Sequence, residues 1–324
     1  MINKNDSIVL GFSVGHDRGA TLMVNGKIIV GITEERFSRI KHDAEDSIPL
    51  QSMNYCVGYA NINFKDVDLF VYNITVDKNN VIEQFETLTG LKAEEKLVFI
   101  PHHMAHAYSS FGASGFKEAA IVVADAMGSV WNDVTPIKDF YPDINKPEPP
   151  EGQQWAEGYT IFHFKDNSTT EVYKKWIQNP SAFFGEGVET TLGGIYGKGS
   201  LQLIYDPNSN SWPAGKLMGL ASYANQDFVK SQKPWAKMTD DDLSIEAATL
   251  HGWVNWRSDF QAKANVAGIY QHEQEQSSLH LAKMAKKLTG SSNICVAGGS
   301  FLNCNSNELI RKNLELILQS RIAI

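Results

Sequence analysis

Cysteine is scarce in this chain of 324 residues: Cys56, Cys295 and Cys304 are the only three, odd in number and far apart. That argues against a disulfide framework and fits a reducing compartment. Long apolar runs are missing too, since nothing approaches the roughly 20 residues that a membrane helix requires. The polar opening Met1-Ile2-Asn3-Lys4-Asn5-Asp6 lacks the order of a signal peptide. The expectation is a soluble, cytoplasmic protein with no membrane partner. Basic charge is also in deficit, 29 Lys and Arg against 37 Asp and Glu for a net charge of -8. A broad nucleic-acid face, which needs clustered cations, is therefore not expected. What is present is 43% hydrophobic residues, enough for a substantial core and, by the usual domain size of roughly 100–200 residues, for two units.

Hydrophobic patterning gives the order of elements. Residues 7–13 read as an apolar strand that breaks into Val14-Gly15-His16-Asp17-Arg18-Gly19 and resumes at 20–24. Asn25-Gly26 is a strong hairpin signal leading into a third strand at 27–32. A polar stretch follows, in which Glu34, Glu35 and Arg36 read as a solvated or ion-paired patch. Residues 49–61 are expected to be helical, with Met53, Tyr55, Cys56 and Tyr59 apolar, and 68–72 to form another strand. The plan then repeats. A buried strand at 119–124 ends in Asp125 and a Gly-containing turn, and strands at 159–164 and 171–176 flank Asp166-Asn167-Ser168 after a Pro-rich stretch, 138–158. Two such copies suggest a duplicated α/β unit with a cleft between the copies, divided as residues 1–118 and 119–324. Gly193-Gly194 marks a loop or a close helix approach, and the chain reads as less regular until Asp242. A long helix is expected over 258–288, a buried strand over 293–297, and a helix over 307–318 after Gly298-Gly299.

One stretch carries a chemical signal of its own. If Pro101 opens a helix, His102 and His106 fall at i and i+4 on one face, where two imidazoles can hold one metal ion. Asp125 would project from a strand end. Two His and a carboxylate suit Fe(II), Zn or Mn; the alternative is a surface helix that happens to carry histidines, because the Glu of the metalloprotease motif is absent.

Six collinear segments resemble the NodU/CmcH carbamoyltransferase family: Gly15-His16-Asp17 with Ala20; Glu34 through His42; His102-His103-Met104-Ala105-His106-Ala107; the strand ending in Asp125; Gly215 through Ala221; and Gly298-Gly299 with Leu302-Asn303-Cys304. The resemblance implies duplicated ribonuclease-H-like lobes of the actin-like ATPase and sugar-kinase superfamily, here stopping early at the C-terminus. It implies O-carbamoyl transfer to a hydroxyl of a small-molecule acceptor, such as a natural product or sugar. The donor would be carbamoyl-adenylate, made from ATP and carbamoyl phosphate by an adenylate-forming domain that this sequence lacks and a protein partner would supply. The implied roles are His102, His106 and Asp125 as ligands of a divalent metal, Fe(II) favoured with Zn or Mn as alternatives, and His16 as general base. Lys216, Gly219, Gly298, Gly299 and Asn303 would border the nucleotide.

The turn Asp125-Ala126-Met127-Gly128-Ser129 departs from the family's Asp-Gly-rich pattern, and a closing strand with a further metal carboxylate is absent. Two other functions therefore stand beside the first: a non-catalytic nucleotide- and metal-binding module or relic, and an ATP-dependent phosphotransferase of the same superfamily.

Overall fold

The computed structural model describes residues 5–74, 78–134, 149–178, 189–204, 212–246 and 259–314. Two compact units emerge, Met1–Ala105 with Asn132–Asn145 and His106–Trp131 with Lys146–Ile324. The division falls inside a helix at 105/106 rather than at 118/119. No helix among the described residues is long and apolar enough to cross a membrane.

The first unit opens with the meander read from sequence: β1 (Ile8–Ser13), β2 (Gly19–Val24) and β3 (Lys27–Thr33) pair antiparallel. Asn25 and Gly26 both take positive φ, as the tight hairpin requires. Helices α1 (Glu35–Ser38) and α2 (Leu50–Tyr59) follow, then β4 (Leu69–Ile74), α3 (Lys78–Thr89), α4 (Ala93–Lys96) and β5 (Leu97–Pro101). The sheet order is β3-β2-β1-β4-β5, with β4 and β5 parallel to β1. Met53 and Cys56 of α2 join the core with Leu10, Leu22 and Phe70, whereas Tyr55 and Tyr59 are exposed. Burial pushes the Cys56 thiol up to about 11. Glu34 is neither solvated nor ion-paired: it is buried and accepts from the Gln51 and Ser52 amides and the Ser52 hydroxyl, occupying orphan donors at the start of α2.

The remaining elements are α5 (His102–Ser114), β6 (Ala119–Ala124), α6 (Trp131–Val134), β7 (Trp155–Lys165), β8 (Ser168–Gln178), β9 (Glu189–Thr190), α7 (Leu192–Leu203), α8 (Ala214–Ala221), α9 (Gln226–Lys230), β10 (Ala236–Thr239), β11 (Asp242–Glu246), α10 (Phe260–Thr289), β12 (Ile294–Ala297) and α11 (Cys304–Asn313). The stretch before Asp242 is thus more regular than its glycine content suggests. Strand β7 begins at Trp155, so the last residues of the Pro-rich stretch belong to a sheet, and α11 begins at Cys304 rather than at 307. The end of that expected helix, and Gly185-Glu186-Gly187, lie outside the described residues. Along α10, Ile269, Leu279, Leu281 and Met284 are buried, but Leu288 is exposed.

The second sheet has the order β8-β7-β6-β12, with β6–β7–β8 antiparallel and β12 parallel to β6. That repeats β3-β2-β1-β4, the duplication expected from the sequence. Every residue of β6 is buried, because both faces are covered: Ala120, Val122 and Ala124 pack toward α7, α8 and α10, while Ala119, Ile121 and Val123 pack toward Ala107 and Phe111 of α5.

A buried ion pair pins the turn that leaves β6. Glu157 on β7 exchanges backbone hydrogen bonds with the 128–129 segment, and its carboxylate accepts from the Ser129 amide at 3.1 Å. Lys174 on β8 donates to Glu157 at 2.7 Å and pairs with Glu171 at 2.8 Å. Burial alone would pull the Lys174 ammonium down, but the two carboxylates outweigh it and raise it above the ordinary 10.5. Removing one partner leaves a buried charge uncompensated. Lys174→Met should therefore cost about 3–5 kcal/mol in a denaturant titration at neutral pH. Lys174's contribution is fully present below pH 10.5 and is lost as pH rises past its raised value, so wild type and variant should converge in alkali.

Candidate metal centre

Helix α5 begins at His102, Pro101 being the last residue of β5. His102 and His106 therefore sit one turn apart on one face of a continuous helix. Odd-numbered residues of β6 face α5, and Asp125 continues that alternation one residue past the strand. Its Oδ2 lies 3.2 Å from His106 Nε2. One ligand-capable atom from each of His102, His106 and Asp125 lies within 4.8 Å of the others. Two metal–ligand bonds of about 2.0–2.2 Å reach less far than that limit, so a small side-chain rotation would bring two imidazole nitrogens and a carboxylate oxygen onto one borderline divalent cation.

Three glycines crowd the stretch from Ala124 to Ala126. A Cβ on Gly193, in the first turn of α7, would sit 2.5 Å from the Ala126 nitrogen and 2.8 Å from the Asp125 carbonyl carbon. One on Gly299 would lie 3.0 Å from Asp125 Oδ1, and Gly298, at φ +94, abuts the Ala124 carbonyl. Thr191, the N-cap of α7, donates from its hydroxyl to the Ala126 carbonyl at 2.7 Å and accepts from the Gly194 amide. Asp125 Oδ1 accepts from the Ala126 amide at 2.7 Å. Neither Ala126 nor Met127 has positive φ, so the departure from a glycine-rich turn introduces no backbone strain.

His16 occupies the β1–β2 turn of the first unit, its side chain 80% exposed and its Nδ1 2.9 Å from Asp17 Oδ2. His42 Nδ1 meets the other Asp17 oxygen, also at 2.9 Å. The hydrogen bond to His16, reinforced by His42, holds the Asp17 carboxyl below its ordinary value. The turn is anchored by the Asp17 amide, which donates to the His42 carbonyl at 2.7 Å, and by Arg18, buried against Asp43.

A family model for the carbamoyltransferase N-terminus matches residues 8–87 and 72–316. The chain belongs to the carbamoyltransferase family. The Synechocystis protein sll1178 is 26% identical over 364 aligned positions, covering 92% of this chain and 51% of that protein. Nodulation protein NolNO of Sinorhizobium fredii is 31% identical over 136 residues, 35% of this chain and 20% of NolNO. The chain thus spans about half the length of sll1178. Among solved structures, HypF of T. kodakarensis superposes with a TM-score of 0.58 at 13% identity, covering 95% of this chain and 44% of that one. Full-length HypF in its phosphate- and nucleotide-bound form gives 0.52 at 12%, with coverages of 96% and 51%. At such identities the likeness is one of fold alone, an α/β architecture in which the strand plan occurs twice.

The five positions expected to border a nucleotide fall in three places. Gly298 and Gly299 adjoin Ala124 and Asp125. Lys216 and Gly219 lie on the exposed face of α8, whose Met218 sulfur is 3.9 Å from that of Cys304 at the start of α11. Asn303 is buried and its carboxamide is engaged: it exchanges hydrogen bonds with Gln271 of α10 and caps the Ser306 amide. Its observed contribution is to lock α11 onto α10. Thr191, Glu157 and Lys174 support the centre without a motif that marks them in the sequence. The Gly193-Gly194 pair is the only signal near them, and it indicates a close approach without naming its partner.

These glycines make opposite predictions. Gly193→Ala must move the Asp125–Ala126 backbone and should cost about 1–3 kcal/mol. Gly219, with no described residue within 4 Å of an added Cβ, should accept Ala with a gain of about 0.5–1 kcal/mol. Chemical denaturation of both variants measures the difference.

Proposed function

We propose that this chain is the acceptor-side part of an O-carbamoyltransferase, passing a carbamoyl group from carbamoyl-adenylate to a hydroxyl of a small molecule such as a natural product or sugar. The observation that carries this reading is the His102, His106 and Asp125 ligand set in a chain of the carbamoyltransferase family. His102, His106 and Asp125 would hold a divalent ion, Fe(II) favoured and Zn or Mn next. When bound, such an ion supplies Lewis-acid polarisation of a carbonyl or phosphate oxygen.

An acceptor hydroxyl is a poor nucleophile at neutral pH, so it needs a base. His16 suits that role, because Asp17 engages its Nδ1 and its Nε2 can take the hydroxyl proton from a largely exposed ring. The hydroxyl oxygen bonds to the carbamoyl carbon as the carbon–oxygen bond to the phosphate breaks, and AMP leaves with that electron pair. Gly298 and Gly299 let backbone approach the turn beside Asp125 closely. Gly219 and Gly215 bring no packing demand from the described residues, none of which lies within 4 Å of a Cβ at either position; an exposed helix face carrying Lys216 suits a nucleotide lying along it. The full-length HypF structure, by its description a phosphate- and nucleotide-bound form, is consistent with ATP-derived ligands here. The adenylate-forming activity would come from a separate partner or from further polypeptide, in keeping with a chain that spans 51% of sll1178.

Incubation with ATP, labelled carbamoyl phosphate, candidate hydroxyl acceptors and a partner carrying the adenylate-forming domain should give labelled O-carbamoyl product. His16→Ala should lower kcat by about 10²–10⁴-fold with metal content unchanged. His102→Ala with His106→Ala should abolish stoichiometric metal in elemental analysis. Transfer by this chain alone from carbamoyl phosphate, or unchanged metal content in the double variant, would sink the proposal.

A further inference from the structure

Asn73 lies on β4, opposite Ile100 of β5, one residue before Pro101 and two before His102. Its carboxamide Nδ2 is 3.2 Å from His102 Nδ1, so the ring's other nitrogen, Nε2, is the one that can turn to a cation. Asn73 Oδ1 is buried and has no partner among the described residues. Among those residues the amide is thus anchored through His102, and no second hydrogen bond locks which of its two ends faces the imidazole.

The orientation matters chemically. A neutral imidazole carries one N–H and one lone pair. With Nδ2 facing the ring, Nδ1 must accept, the ring proton sits on Nε2, and that nitrogen has no lone pair to offer a cation. With Oδ1 facing the ring, Nδ1–H donates to it and Nε2 presents its lone pair. Rotating the carboxamide by 180° therefore converts His102 from a non-ligand to a ligand without moving the backbone. Either orientation leaves one buried amide atom unpartnered, so the two are close in energy and a bound cation can decide between them.

We propose that Asn73 is a positioning residue that selects the tautomer of His102, its carboxamide oxygen facing Nδ1 when a divalent cation is bound. This rests on the metal reading given above and extends it to a residue outside the ligand set. An acceptor behind a ligating histidine both orients the ring and raises its basicity, and loss of such a partner typically weakens binding by about 10–100-fold.

The test uses Zn(II) as a diamagnetic probe with the full chain. Long-range proton–nitrogen correlation spectra of the imidazoles report the His102 tautomer, and chelator competition gives the Zn(II) dissociation constant. Asn73→Leu should weaken Zn(II) binding by about 10–100-fold, and Asn73→Asp, which offers only acceptors, should tighten it by about threefold or more while placing the His102 proton on Nδ1 even without metal. Wild-type affinity in Asn73→Leu, or binding by Asn73→Asp no tighter than wild type, overturns the proposal. If Asn73→Leu does not fold, the Asp variant decides alone. If the wild-type chain binds no Zn(II), the metal reading itself fails; the spectra still judge Asn73, because a His102 tautomer that is the same in wild type, Asp and Leu variants would refute its control of the ring.

Discussion

The candidate centre depends on the close approach of backbone to the Asp125–Ala126 peptide. Gly193 meets it from the first turn of α7, Gly298 and Gly299 meet the Ala124 backbone and the Asp125 carboxylate from the segment after β12, and Glu157 with Lys174 fixes the residues just beyond. The Gly193 and Gly298 contacts are between main chain and main chain, whereas Gly299 faces the Asp125 carboxylate itself. Because β6 is buried on both faces, its end has little freedom, and the alternation that directs Val123 toward α5 directs Asp125 there as well.

Two kinds of glycine serve different ends in this carbamoyltransferase chain. Those at 193, 298 and 299 are demanded by space, since a Cβ would collide with backbone or with the Asp125 carboxylate. Those at 215 and 219 meet nothing among the described residues, and in a helix they cost stability relative to alanine. The first unit treats strain in a similar way: Asp17 and His42 both adopt positive φ, and their side chains are joined through the same carboxylate that receives His16.

Much of the architecture was legible in the sequence. Asn25-Gly26 and Asp166-Asn167 specified two hairpins because few residues accept positive φ in consecutive positions. The unbroken apolar run at 119–124 marked a strand covered on both faces, and the spacing of His102 and His106 put them on one helix face. Misreadings arose where tertiary contact overrides local character. Glu34 looked like a solvated or ion-paired charge but caps α2. Residues 155–158 fell at the end of the Pro-rich stretch but belong to β7, where the Glu157 charge is matched by Lys174 across the hairpin.

Sequence alone determined which residues had the chemistry for a cation site, most of the strands and helices outside residues 189–241, and that the strand plan occurs twice, because periodicity and turn chemistry are local properties. The tertiary structure decided that Asp125 faces His106, that Gly193 is the residue on which the Asp125–Ala126 peptide rests, and that Asn73 stands behind His102. Those facts depend on the pairing of strands and the packing of helices far apart in the chain, where a one-residue shift of register turns a side chain to the opposite face.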